Sequence, residues 1–184
     1  MNGVSTTTEA VATTDGSLFE AIARAFEPKG AFESDLRAAG FDVKDIQLRY
    51  PSAVLEPVLD VCARHVLPSL SREEAHREVG RRIIEKFFTT IFGKVMRTLI
   101  SALGVERFLL RLPRIARMGT TGLQVKAEKV GPVELRLSFH SERLAADFIA
   151  GTIEGVAQVI HADLKAEIVD RNPWSFELRV SGLR

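Results

Sequence analysis

The sequence is poor in cysteine, in proline and glycine, in net charge and in long apolar runs, and each shortage excludes something. One cysteine, Cys62, in 184 residues rules out an internal disulfide framework and suits a reducing compartment, so a cytoplasmic protein is expected. Only 13 Gly and 7 Pro exclude collagen-like or low-complexity character. No stretch reaches about 18 uninterrupted apolar residues, so no membrane-spanning helix is expected. Glycine-rich phosphate loops, HExxH, paired-cysteine zinc spacing and G-x-S-x-G elbows are all missing, and the expectation is that the protein is not an enzyme.

What is present is a 46% hydrophobic, 27% charged chain with 25 Lys plus Arg against 24 Asp plus Glu, the profile of an ordinary globular domain. The balanced total argues against a dedicated nucleic-acid binder. It hides an asymmetry, because residues 64 to 117 carry 12 basic and 5 acidic side chains while residues 1 to 63 carry 5 and 10. The first sixteen residues contain no Lys or Arg and no sustained apolar run, unlike a secretion signal. A disordered tail over 1–16 and a single domain over 17–184 are expected.

Periodicity divides that domain in two. Ser17 and Glu20 have capping-box spacing ahead of a helical face ending at Phe26, a second helix spans about Phe32 to Ala39 before Gly40, and a third follows Tyr50-Pro51 to about Val66. Ser71 to Gly104 reads as one long helix with apolar pairs four apart, and Gly80 and Gly93 predict a bend or a close approach within it. A further segment, Val105 to Met118, is expected to be interrupted at Pro113. After Gly119 the period becomes 2, giving a hairpin through Gly131-Pro132, a helix from a Ser141 cap to about His161, and two strands joined by Asn172-Pro173. The fold class is α+β, a helical half followed by an antiparallel ββαββ half.

Few side chains point to chemistry. Cys62 and His65 share a helix face, but two ligands do not close a metal site, and no metal is expected. Arg107, Arg111, Arg114 and Arg117 fall at offsets 0, 4, 7 and 10, a basic stripe if the helix is continuous; it reads either as a solvated face or as a surface for an acidic partner or anionic lipid heads. Phe87, Phe88, Phe92 and Met96 read either as plain core or as the wall of an apolar cavity.

The stretch from Leu135 to Val169 resembles the strand, Tyr-x-Ser-x-Arg and long-helix segment of H-NOX (haem nitric-oxide/oxygen-binding) domains, in a superfamily with V4R and TRAPP-type ligand-binding domains. Leu36 to Val43, Gly80 to Phe88 and Arg107 to Arg114 resemble a myxobacterial paralogous family of uncharacterised proteins. The resemblance implies an H-NOX-like fold and a site at Phe139, Ser141 and Arg143, where the motif's tyrosine is replaced by Phe139. It also implies an axial histidine that Phe108 to Met118 lacks, Ala116 lying near its place. The expected function is therefore a non-enzymatic signalling or adaptor domain that binds a small apolar or amphipathic ligand, a protein partner, or both, without haem. A haem-based gas sensor is the alternative. Ser141 and Arg143 would hold a ligand's acid group, with Phe87, Phe92, Met96 and Phe148 around its tail; Ser141 as a simple helix cap is the other reading. Pairing of two copies through exposed helices of the first half is a further expectation.

Overall fold

The computed structural model describes residues 12–140 and 145–183. Two layers of structure meet along one helix pair. The N-terminal layer contains β1 (Thr13–Asp15), α1 (Gly16–Phe26), α2 (Ala31–Ala38), β2 (Arg49–Pro51), a 3-10 turn at Ser52–Val54 and α3 (Leu55–Val66). Then come α4 (Arg72–Phe87), α5 (Ile91–Leu103), α6 (Val105–Leu110) and α7 (Leu112–Gly119). The C-terminal layer is β3 (Gln124–Gly131), β4 (Glu134–His140), α8 (Ala146–Val159), β5 (Lys165–Asn172) and β6 (Ser175–Ser181). Its four strands form an antiparallel sheet in the order β3-β4-β6-β5, so the α+β class expected from periodicity is the class observed.

Several sequence-based boundaries need correction. The tail expected through residue 16 ends sooner, because Thr13–Asp15 pairs with Arg49–Pro51 as a short antiparallel ribbon. Asp15, not Ser17, caps α1: its carboxylate accepts from the Ser17 backbone N–H at 2.8 Å. The long helix expected over Ser71 to Gly104 is two helices. Thr90 caps α5 by accepting from the Gly93 N–H at 3.1 Å and donates to the Phe87 carbonyl at 2.7 Å. Gly93 is required there, since a Cβ at that position would lie 1.8 Å from the Phe87 carbonyl oxygen. The interruption expected at Pro113 falls at Arg111, and Pro113 sits in the first turn of α7, where it has no N–H to lose. Arg107, Arg111, Arg114 and Arg117 are thus not on one continuous helix; Arg107 is on α6, Arg111 at the break and the other two on α7, all four exposed. The helix expected from Ser141 begins at Ala146, with Ala145 in the cap position. Ser141 and Arg143 themselves lie outside the described residues.

The capping box at Ser71 is present, with Ser71 and Glu74 satisfying each other's backbone N–H groups. Gly40, at φ +95°, ends α2 in the left-handed conformation. Packing is tightest between α4 and α8. Gly151 lies so close to α4 that a Cβ would come within 1.9 Å of the Arg77 carbonyl oxygen, and one at Gly80 within 2.4 Å of that of Phe148. Around this crossing, Arg77 and Arg81 of α4 both grip Glu154 of α8, Arg81 Nε donating at 2.9 Å. Burial alone pushes the Glu154 carboxyl upward; the hydrogen bonds and charges of the two arginines outweigh it and hold the group below the usual range.

The apolar interior forms two clusters on either side of that helix pair. One joins Phe19, Phe41 and Tyr50 to Val58, Leu59, Val79 and Ile83. The other joins Leu135, Leu137, Phe139, Phe176, Leu178 and Val180 of the sheet to Ile84, Phe88, Met96, Phe108 and Ile153.

Candidate functional site

Where the helices stand off the sheet there is a cavity of about 250 Å³, partly open to solvent. Its walls come from α4 (Ile84, Phe87), α5 (Phe92, Met96, Ile100), α6 (Phe108, Leu109), α7 (Leu112, Ile115, Ala116), α8 (Phe148, Ile153, Val156) and Phe139 of β4. Helical period explains how α5 contributes: Phe92, Met96 and Ile100 are four apart and share a face. The same period in α7 turns Leu112, Ile115 and Ala116 inward and Arg111, Arg114 and Arg117 outward. The N-terminal ribbon and the start of α1 close one side, where Thr14, Asp15 and Leu18 reach the wall. The ribbon is tied to the chain beyond α7, with the Thr121 N–H donating to the Thr13 carbonyl at 2.8 Å and the Thr13 N–H to Thr121 Oγ1 at 2.8 Å.

Polar groups on the wall are few, and most are already engaged. Thr14 Oγ1 lies 3.1 Å from Ser52 Oγ, Thr152 Oγ1 donates to the Ile149 carbonyl at 2.8 Å, and the Asp15 carboxylate caps α1. Asp15 is the one charged residue on the described wall. The surface therefore offers burial and shape rather than proton transfer or charge stabilisation.

Of the residues singled out in the sequence, Phe87, Phe92, Met96, Phe139 and Phe148 come together on this wall. Phe87 and Phe92 meet edge to face at 6.1 Å, and Phe139 stacks on Phe176 at 4.7 Å. The apolar residues of α6 and α7, and those of the ribbon, were not singled out as cavity wall. Alternation of arginine with apolar residues over Leu112 to Arg117 is the signal that α7 has an inner face.

Haem is tested by the donors on the wall. Proteins hold its iron through histidine, thiolate, thioether or phenolate. Among the described residues no histidine, cysteine or tyrosine lines the cavity, and Ala116 takes part in the α7 wall where the resemblance calls for a histidine. Met96 carries the single soft donor atom. This set does not fit a histidine-ligated haem.

Two of the four histidines are engaged elsewhere. His65 Nε2 lies 2.7 Å from Asp35 and its ring stacks on Phe32 at 4.9 Å. His76, almost fully buried between α3 and α4, donates from Nε2 to Asp60 Oδ1 at 2.8 Å, since an ionised carboxylate can only accept. Arg72 bridges Asp60 and Glu56 beside it. Desolvation, reinforced by the Arg72 charge, lowers the His76 pKa and keeps the ring neutral despite the pull of Asp60. Burial pushes the Cys62 thiol up to about 12, so it is an inert core side chain. No cluster of three or more metal-ligating side chains occurs among the described residues. No helix among them is long and apolar enough to cross a membrane.

This architecture matches solved H-NOX domains closely in shape and weakly in sequence. A Tt H-NOX variant superposes with a TM-score of 0.71 at 15% identity, covering 91% of this chain and 94% of that one. An oxygen-binding H-NOX domain related to soluble guanylate cyclases, in its oxygen complex, gives 0.67 at 16% identity over 90% and 91%. A Cs H-NOX carrying an unnatural amino acid gives 0.67 at 17% over 91% and 95%. These likenesses establish the fold. A comparison with curated proteins gives no match in sequence. A family profile does match, over residues 9–181, and the chain accordingly belongs to the family described as proteins of unknown function, DUF2378.

Proposed function

We propose that this H-NOX-like chain is a non-enzymatic signalling or adaptor domain that takes a small apolar molecule into the cavity, without haem. The observation that carries the reading is the chemistry of the wall: about 250 Å³ bounded almost wholly by carbon. Water in that space meets almost no hydrogen-bond partners, and an apolar occupant displaces it and gains dispersion contacts with the surrounding rings. The described wall, with Asp15 as its charge, favours a neutral molecule over an acid. An amphipathic acid would depend on Arg143. Kinship with V4R and TRAPP-type domains and a myxobacterial source belong to the same reading, as does any coupling of the cavity to a protein partner.

The test is titration of the purified chain with the neutral fluorophore N-phenyl-1-naphthylamine, followed by displacement with long-chain alcohols and carboxylic acids. One saturable site, displaced by alcohols and blocked by Ala116→Phe, is the expected result. Arg143→Ala should leave alcohol binding unchanged and weaken acid binding by about 1.5–3 kcal/mol, the scale of a charge-assisted hydrogen bond. Absence of a saturable site in the parent overturns the reading. A one-to-one Soret spectrum on adding hemin replaces it with the gas-sensor alternative.

A further inference from the structure

From Phe88 to Gly122, the run that builds α5, α6 and α7, there are six basic residues and one acidic residue. The acid, Glu106, is paired with Lys129 of β3 at 2.6 Å. Lys94, Arg97, Arg107, Arg111, Arg114 and Arg117 are all exposed, and among the described residues none of them forms an ion pair. The rest of the molecule behaves differently. Ten of the described arginines outside this run are ion-paired, Arg49 alone excepted. Among the described residues, arginines are neutralised at ten of eleven positions outside this run and at none within it.

Where α5 starts and α7 ends, near Lys94, Arg114 and Arg117 and about a third of a turn or more from Arg97, the chain also exposes apolar side chains. Ile91 is 86% exposed, Met118 53% and Val95 48%. They lie near one another because α5 begins where α7 ends: a Cβ built at Gly119 would touch the Phe92 ring at 3.6 Å. Ile91 and Val95 run beside the cavity-facing Phe92 and Met96, one step around the helix. Met118 sits in the last turn of α7, between inward Ile115 and outward Arg114 when the turn is projected at 100° per residue.

We infer that the α5–α7 face docks on the surface of an anionic lipid bilayer, its arginines on the headgroup phosphates and Ile91, Val95 and Met118 in the acyl boundary. Unpaired cations interleaved with exposed aliphatic side chains are the two components of interfacial binding. A nucleic acid would use the cations and leave the aliphatic groups in water. The near-neutral total charge does not oppose this, because charges more than about 8 Å away are screened at physiological salt and just over half of the described acidic residues outside this run are ion-paired. The docking stands apart from the cavity's occupancy, although it would turn the Phe92 and Met96 side of the cavity toward the lipid.

Co-sedimentation of the full chain with vesicles tests it. Phosphatidylcholine vesicles containing about one-third phosphatidylglycerol should carry the protein down, pure phosphatidylcholine vesicles should not, and raising the salt should release it. Each basic residue near such a surface contributes about fivefold to partitioning, so Arg114→Glu with Arg117→Glu should lower it by at least about 25-fold. Ile91→Ser, at an exposed position, should weaken binding with an unchanged melting curve. Failure to bind anionic vesicles overturns the inference. So does binding that the double variant leaves intact, or binding indifferent to Ile91→Ser and matched by duplex DNA, which would mark a purely electrostatic surface.

Discussion

At Gly151 a single missing methyl group sets the distance between the two helices that join the layers of the molecule. Replacing a helical glycine by alanine normally stabilises by up to about 1 kcal/mol, since the backbone loses less freedom on folding. Here the added carbon would collide with the backbone carbonyl of Arg77 at 1.9 Å, which no side-chain rotation relieves. Overpacking of this kind costs about 1–3 kcal/mol and would also displace the Arg77 and Arg81 grip on Glu154. Gly151→Ala is therefore expected to lower stability by about 1–2 kcal/mol net in urea denaturation; a gain would show that α4 and α8 are not in close contact. His76 makes a second prediction. Its pKa is lowered in the folded chain, so on acidification the unfolded chain takes up the proton first. Above about pH 6.5, the ordinary histidine value, both states are neutral and the full stability is present; below it stability falls as pH falls. Melting temperature should decline from pH 7 to pH 5, and less steeply in His76→Gln. Close approach at this crossing was legible in the sequence from Gly80, the glycine of α4 that faces α8. The burial of His76 was not, because the carboxylate that holds it, Asp60, lies on α3 and nothing local in α4 announces the pairing.

At the scale of elements, hydrophobic period located helices and strands well and located breaks poorly. Apolar pairs recur every four residues from Ile83 to Ile100, through the point where α4 ends, because α4 and α5 both turn faces toward one interior. A period reports which residues are inside and is blind to a change in axis direction. The break is written in Thr90, a capping hydroxyl that reads as a tolerable helix residue, and in Gly93, a position without room for Cβ that signalled a bend without showing that the helix ends. Thr90→Val keeps the shape and removes both hydrogen bonds of the hydroxyl. The expected loss is about 1–2 kcal/mol, the scale of a lost N-cap, measured by chemical denaturation. Retained stability would mean that α5 starts without its cap. The ribbon of β1 and β2 escaped notice for a related reason: three residues on each strand are too few to establish alternation. By contrast β4 and β6, with seven residues each and one buried face, were readable from their alternation.

At the scale of the whole molecule, the apolar cluster that joins the sheet to α4, α5, α6 and α8 holds a hollow within it. Solid core and cavity wall draw on the same residue types at the same spacing, so Phe87, Phe92 and Met96 alone could not distinguish them; the distinction comes from how far α5 and α7 stand from α8 and the sheet. That separation makes Ala116 informative, as a small side chain on the wall of a large cavity. A phenyl ring directed inward is taken out of water against the apolar wall, worth up to about 2 kcal/mol on the scale of a buried aromatic side chain. Ala116→Phe should therefore melt higher than the parent when both are free of ligand. Its response to a cavity ligand should be the opposite. The parent, given a long-chain alcohol at 100 times its dissociation constant, gains about 2.7 kcal/mol, or about 5–10 °C for a chain of this size. The filled variant should gain nothing. Differential scanning calorimetry of both proteins, with and without the alcohol, separates the possibilities: a variant that melts lower shows that the hollow closes in solution, and equal shifts in the two proteins place the alcohol somewhere other than this cavity.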